Sequence, residues 1–325
     1  MGGVARGDLI LNIVEAARQG DNDALRRSVE ALIAEERVKQ HHVLADRLES
    51  ALHQNGPRPA PVQEGAMSPV SPVEVITPRR RLEDLFLPDH VWAACAEFIE
   101  EQQRVELLRS YGLEPRHRIL LTGPPGNGKT SLAEALAEAL LLPLLRVRYE
   151  SVVGSFLGET AAQLSRVVAF ARTRNAVLFF DEFDAIAKER GDEHETGEIK
   201  RVVSSLLMQI DDLPSHVVVI AASNHPELLD RAAGRRFEVH FDLPAPDLRA
   251  RTAWFARFFE TLDEPVRRTP AGLGKITAGA SFASLEDLTL DIRRRHTLHP
   301  EVPLGQLMAE RLKRWKKDRA SSRGS

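Results

Sequence analysis

Gly123-Pro124-Pro125-Gly126-Asn127-Gly128-Lys129-Thr130 has the spacing G-x-x-x-x-G-K-[ST], a pattern that cradles phosphate. Glycines let successive backbone N–H groups turn toward phosphate oxygens, the lysine reaches the β and γ positions, and the Thr130 hydroxyl ligates Mg²⁺. Ser131 follows directly and is counted with the nucleotide-binding residues. A second constellation, Val177-Leu178-Phe179-Phe180-Asp181-Glu182, is an apolar run ending in paired acids. At the carboxyl edge of a sheet, Asp181 would hold Mg²⁺ through water and Glu182 would polarise the attacking water as general base. Asn224 closes another apolar run, 217–222, where its amide can hydrogen-bond the γ-phosphate or the lytic water. Arg235 and Arg236 stand side by side just before a last run, and guanidinium groups stabilise charge developing on a transferred phosphoryl group, in cis or in trans. Together these residues point to binding of ATP or GTP with Mg²⁺.

The elements that would position them are legible around each motif. Arg118-Ile119-Leu120-Leu121-Thr122 reads as a buried strand feeding the loop. Beyond it, Leu132, Ala133, Leu136, Ala137, Leu140 and Leu141 form a helical stripe that ends at Pro143. The loop thus leads into a helix N-terminus, whose partial positive charge favours phosphate. Apolar runs at 144–149, 176–180, 217–222 and 237–243 alternate with helical stretches at 91–111, 160–174 and 198–210. Near-continuous apolar strands separated by helices predict an α/β fold, a parallel five-stranded sheet with helices on both faces. After Pro244-Ala245-Pro246 only helices are expected, at 248–262, 285–298 and 304–315, forming a C-terminal helical lid.

At 325 residues the chain can hold one large domain or two medium ones. Residues 1–52 read as a small helical module that recruits substrate or partner. Its three stripes run through Leu9 and Ile13, through Leu25, Val29 and Leu32, and through Leu44, Leu48 and Leu52. Residues 53–78 carry Pro57, Pro59, Pro61, Pro69, Pro72 and Pro78 and read as a flexible linker. The large α/β subdomain is assigned to 79–245, the lid with its basic C-terminal helix to 246–320, and a disordered tail to 321–325. A net charge of −3 argues against a surface that coats nucleic acid, leaving Arg311–Arg319 as a local basic cluster. The single cysteine, Cys95, sits among Trp92, Ala94 and Phe98 as a buried apolar residue, and it excludes a disulfide within the chain. With no apolar run near ~18 residues and no signal-peptide pattern, a soluble cytoplasmic protein with no membrane contact is expected.

In order and spacing, Gly123–Thr130, Val177–Glu182, the run ending at Asn224 and the block Leu229-Asp230 to Arg235-Arg236-Phe237 resemble the AAA ATPases. The resemblance runs from about Arg79 to about His299. It implies a P-loop NTPase fold, ATP hydrolysed to ADP, Mg²⁺, and a homo-oligomeric ring, usually a hexamer. It implies a sensor role for Asn224. For Arg235 and Arg236 it implies the role of arginine fingers completing a neighbouring subunit's site. The family's more familiar form separates these arginines with Pro-Gly or Phe-Gly, whereas here they are contiguous. Asp84 and Leu85 fall where the family's adenine pocket begins.

Phe156, Leu157 and Gly158 resemble the aromatic–hydrophobic–glycine loop that lines the pore of protein-remodelling members, which implies an extended protein substrate gripped there. Gly279–Leu288 resembles the Ser-Gly-Ala-Asp-Leu lid pattern of the same branch, with Phe282 and Ser284 departing from it. His194-Glu195-Thr196-Gly197-Glu198 lacks the second histidine of H-E-x-x-H. Any degradation would therefore fall to a separate peptidase or effector chain. The expectation is a bacterial-type single-cassette remodeller or unfoldase. The alternative is a DNA-associated ATPase of transposition-helper or loader type, with nucleic acid as the less favoured partner.

Overall fold

The computed structural model describes residues 9, 12–13, 22–38, 72–148, 157–184, 204–225 and 234–322, apart from 263 and 265. The chain divides into two units, 1–68 and 69–325. In the first, α1 (Asn22–Val38) buries Leu32 and Ile33. The third expected helical stripe lies outside the described residues.

The second unit contains a six-stranded sheet. Its strands are β1 (Val73–Ile76), β2 (Arg118–Thr122), β3 (Leu144–Val147), β4 (Ala176–Phe180), β5 (Val217–Ser223) and β6 (Val239–Asp242), in spatial order β1-β3-β4-β5-β2-β6. Five strands are parallel, as the alternation with helices predicts. The sixth corrects the expected count: β1 lies inside the stretch read as linker and pairs antiparallel with β3, Val73 opposite Val147 and Ile76 opposite Leu144. Pro72 and Pro78 bracket it without interrupting it, and Val-Glu-Val-Ile is rich in β-branched residues that suit an edge strand.

Side chains along the central strands alternate between two cores. On one face, Leu178, Phe180, Val217, Val219 and Ala221 pack with Leu164, Val167 and Ala171 of α5 (Leu157–Arg172) and with Leu206 and Ile210 of the helical segment 204–211. On the other, Ile119, Leu121, Val177, Phe179, Val218 and Ile220 pack with Leu132 and Leu136 of α4 (Lys129–Ala139) and with Val91, Cys95 and Phe98 of α2 (Asp89–Gln103). Every residue of β4 and β5 is buried, because helices cover both faces. The single helix expected at 91–111 is two, α2 and α3 (Val105–Ser110), with the break at Arg104 (φ −114°, ψ 32°).

The lid contains α6 (Leu248–Glu260), α7 (Pro270–Ile276), α8 (Phe282–Leu298) and α9 (Leu304–Ser322). Its own core joins Phe255, Phe258, Leu273, Leu285, Ile292, Leu304 and Met308. Sequence reading misses α7, whose Pro270, Gly272 and Gly274 depress helix propensity. Pro270 opens that helix and Thr269 caps it by accepting from Gly272 N at 3.1 Å. The basic helix α9 packs Leu312 and Trp315 inward, and Arg311 pairs with Asp291 at 3.3 Å. It continues through Ser321 and Ser322, where a disordered tail was expected. Among the described residues no helix is long and apolar enough to cross a membrane.

Phe98 is fully buried between α2 and the sheet. Phe98→Ala should lower the stability of this unit by about 3–5 kcal/mol, read as a fall in the urea midpoint at unchanged m-value.

Candidate active site

The strand order sets the carboxyl ends of β2, β5 and β4 side by side, with β5 in the middle. The chain leaves β2 through three glycines in left-handed or otherwise positive-φ conformations: Gly123 (φ 133°), Gly126 (φ 74°) and Gly128 (φ 90°), the last capping α4. At Gly123 a side chain has no room, since a Cβ there would come within 2.2 Å of the Leu243 carbonyl oxygen. Lys129 is buried, and its Nζ donates to the carbonyls of Gly123 (2.7 Å) and Pro124 (3.0 Å). Burial lowers its pKa, while the carboxylates of Asp181 and Asp184 act in the opposite direction.

Thr130 and Asp181 meet across the end of β5: the threonine Oγ1 donates to Asp181 Oδ2 at 2.9 Å. The other carboxylate oxygen accepts the Glu182 N–H at 3.0 Å. A hydroxyl and a carboxylate at this separation form the hard-oxygen set that suits Mg²⁺, which takes few carboxylates and fills its octahedron with phosphate and water. Glu182 itself adopts φ 49°, a left-handed backbone that costs a non-glycine residue about 1–2 kcal/mol, at the sharp turn out of β4.

Asp184, four residues beyond the end of β4, joins the two halves. It is 4% exposed, and its Oδ1 accepts from Ser223 Oγ at 3.2 Å and from the Asn224 N–H at 3.1 Å. The turn after β4 therefore fixes the residue that ends β5, and Asn224 lines the same cleft as Lys129, Thr130, Asp181 and Glu182.

That cleft has a volume of about 740 Å³ and opens between the phosphate loop, an arm at 79–87, and the lid. Asp84 and Leu85 both line it. Asp84 belongs to the turn Leu82–Asp84 and accepts from Arg257 of α6 at 2.8 Å, while Arg257 also reaches the Glu83 carbonyl at 3.1 Å. That guanidinium, followed by the Arg81 N–H, draws the Asp84 pKa below its usual range. Beside the pair, Phe86, Trp254 and Phe282 cluster with ring centroids 5.2 to 5.8 Å apart. The trio gives the cleft an aromatic end in addition to its charged residues, a combination that matches a base joined to phosphates. Sequence reading misses it because the rings come from three separate elements with no shared spacing.

The lid also touches the loop directly. Ala283 N donates to the Gly126 carbonyl at 2.9 Å, and Phe282 N to Asn127 Oδ1 at 3.4 Å.

The two arginines do not join this cleft. Arg236 is tied to Asp211 at 2.5 Å, and Asp211 also binds Arg118, the first residue of β2, at 3.1 Å. Both therefore lie at the amino edge of the sheet, across it from the phosphate loop. Arg235, beside them, is exposed and has no hydrogen-bond or ion-pair partner among the described residues. Phe156 lies outside the described residues. Leu157 and Gly158 open α5, with their side chains likewise outside the description.

Residues 119–245 match the sequence pattern of the ATPase family associated with various cellular activities (AAA). An uncharacterized AAA family ATPase of Sinorhizobium fredii is 36% identical over 87% of this chain and 87% of its own length. A putative 26S proteasome regulatory subunit homolog of Methanothermobacter marburgensis is 35% identical over 58% of this chain and 51% of its own. The proteasome-activating nucleotidase of Thermococcus onnurineus is 34% identical over 57% and 48%. The chain thus spans about half the length of these last two relatives.

Two glycine substitutions separate backbone strain from collision in the loop. Gly128→Ala meets nothing within 4 Å, so it should cost only the left-handed penalty of about 1–2 kcal/mol. Gly123→Ala drives a methyl into the Leu243 carbonyl, so it should cost more than about 3 kcal/mol and shift β6. Denaturant midpoints of the two variants check the ranking, which equal losses would contradict.

Proposed function

The chain belongs to the AAA ATPases and hydrolyses ATP, and from that premise we propose that it is a protein remodeller working as a ring of identical subunits, hexameric in the simplest case. The observation that carries the ring is the position of Arg235. An exposed guanidinium at the amino edge of the sheet, without a partner among the described residues, cannot reach the phosphate loop at the carboxyl edge of its own subunit, so it serves a neighbour's. Arg236, held by Asp211, anchors the segment, which favours Arg235 as the finger that meets the γ-phosphate.

In this reading the backbone N–H groups of Gly123–Thr130 and of Ser131 cradle the phosphates, and Lys129 neutralises the β and γ oxygens. Thr130 and Asp181 would hold Mg²⁺, which withdraws charge from the β- and γ-phosphates when bound. Glu182 takes the proton of the attacking water, Asn224 fixes that water against the γ-phosphate, and Arg235 of the adjacent subunit stabilises the charge that builds in the transition state. The aromatic end with Asp84 and Leu85 receives adenine.

A protein substrate is supported by relatives whose names tie them to proteasomes, and by the Phe156-Leu157-Gly158 sequence, whose apolar, unspecific contacts suit an extended chain of arbitrary sequence. The module 1–52 recruits substrate through the linker that follows it, the engine sits in the cytoplasm, and degradation belongs to a separate peptidase or effector chain. The basic helix gives DNA binding little support, because Leu312 and Trp315 face the lid core and Arg311 is paired.

Glu182→Gln should leave ATP binding intact and abolish turnover, as should Arg235→Ala, each by about a thousandfold. Mixed together, the two inactive proteins should regain ATPase activity, because a Glu182→Gln subunit lends its arginine to a neighbour that retains Glu182. Mixtures as inactive as their components would reject the shared site. Phe156→Ala should keep ATPase activity and lose substrate unfolding, followed with a fluorescent protein substrate. Unimpaired unfolding would remove the pore-loop role.

A further inference from the structure

We infer that Arg80, on the arm preceding α2, is an additional phosphate ligand supplied by the same subunit: seated on the Ser131 hydroxyl, its guanidinium adds a fixed cation at the α/β-phosphate end of the nucleotide cleft. The inference rests on the phosphate site assigned to Gly123–Thr130.

Arg80 Nη1 donates to Ser131 Oγ at 2.8 Å. The backbone holds it there. The N–H groups of Arg79 and Arg80 both donate to Glu134 Oε1, at 3.1 and 3.4 Å, and Glu134 lies three residues beyond Ser131 on the same face of α4. Arg80 is half-buried and lines the cleft with Lys129 and Thr130. Among the described residues no carboxylate forms an ion pair with it. Asp84 is engaged by Arg257, Asp181 by Thr130 and the Glu182 N–H, and Glu134 by the arm's backbone. A partly desolvated cation without a carboxylate partner, inside a cleft built for a polyanion, is a site for that anion.

Position selects the phosphate. Lys129 serves the β and γ oxygens and Thr130 the metal, while the first-turn N–H groups of α4 face the α and β oxygens. Ser131 stands in that first turn. Its oxygen accepts from Arg80, which leaves its own proton to donate to a phosphate oxygen. The remaining N–H groups of the guanidinium fork match the spacing of two phosphate oxygens.

Binding of ATP, ADP and adenosine to the full-length chain, measured by calorimetry, tests this. Arg80→Ala should weaken ATP and ADP alike by about tenfold, with adenosine affinity and the nucleotide-free melting temperature unchanged. Arg80→Lys should recover most of the loss. Adenosine weakened as much as ADP would mean that Arg80 only holds the arm, and unchanged ADP affinity would mean that it touches no phosphate. Either result overturns the inference. Lys129→Ala is the control: if it too binds ADP normally, the phosphate site itself is wrongly assigned, a different failure from that of Arg80 alone.

Discussion

The hydrogen bond between Thr130 and Asp181, 2.9 Å long, closes the gap between two loops that leave the sheet on either side of β5. Each loop is shaped by a backbone constraint that most side chains would not tolerate: positive φ at Gly123, Gly126 and Gly128 on one side, and at Glu182 on the other. Strain of this kind persists only where surrounding structure over-determines it. Here the fully buried strands β4 and β5 supply that rigidity, and Asp184 adds a cross-brace from the β4 turn to Ser223 and Asn224. The acid pair, the lysine and Asn224 thus share one frame, built on the buried strands and the Asp184 brace.

The lid and the arm are attached to that frame by weaker, more exposed contacts. Arg257 and Asp84 are each about half exposed, so their pairing contributes at most about 1 kcal/mol. Two backbone N–H groups of α8 tie it to the loop, Ala283 donating to the Gly126 carbonyl and Phe282 to the Asn127 side chain. Arg251 is the firmer joint: buried, it donates to the Pro246 carbonyl at the start of the lid and to the Gly274 carbonyl of α7 at 2.9 Å. These bonds hold α6 and α7 together within the lid more firmly than the exposed Arg257–Asp84 pair holds the lid to the arm. The aromatic trio fits the same division, since Trp254 and Phe282 ride on the lid whereas Phe86 belongs to the arm.

How much of this could be read from sequence follows from how each feature encodes itself. Phosphate loop, acid pair and buried strands announce themselves through local spacing, because a parallel strand buried on both faces must be apolar throughout and its chemistry must follow immediately at its carboxyl end. Edge strand β1 has no such signature, with four residues between prolines and Val75 half exposed. Helix α7 hides behind its proline and glycines. Contacts that join distant segments were out of reach altogether: Arg257 with Asp84, Arg80 with Ser131, and the three rings. Nothing in the spacing of such residues constrains their meeting. The contiguous arginines are an intermediate case. Sequence located the pair, but only the ion pair to Asp211 distinguishes them.

That ion pair also ties the arginine segment to the start of β2. Arg236 and Arg118 share Asp211, and Arg118 further holds Glu238, whose carboxylate accepts the backbone N–H groups of His117 and Arg118 at 2.9 and 3.1 Å. The segment carrying Arg235 is thereby clamped to the first residue of β2, and the last residue of β2 leads straight into Gly123. Five strand residues span about 17 Å. A displacement of the phosphate loop along β2 therefore has a short, fully hydrogen-bonded path to the arginine on the opposite edge, flanked by β5 on one side and β6 on the other. In an assembly where that arginine serves the next subunit, the strand that leads into one site's phosphate loop is also clamped to the segment bearing the neighbouring site's arginine, so successive sites are joined through a buried strand of the sheet.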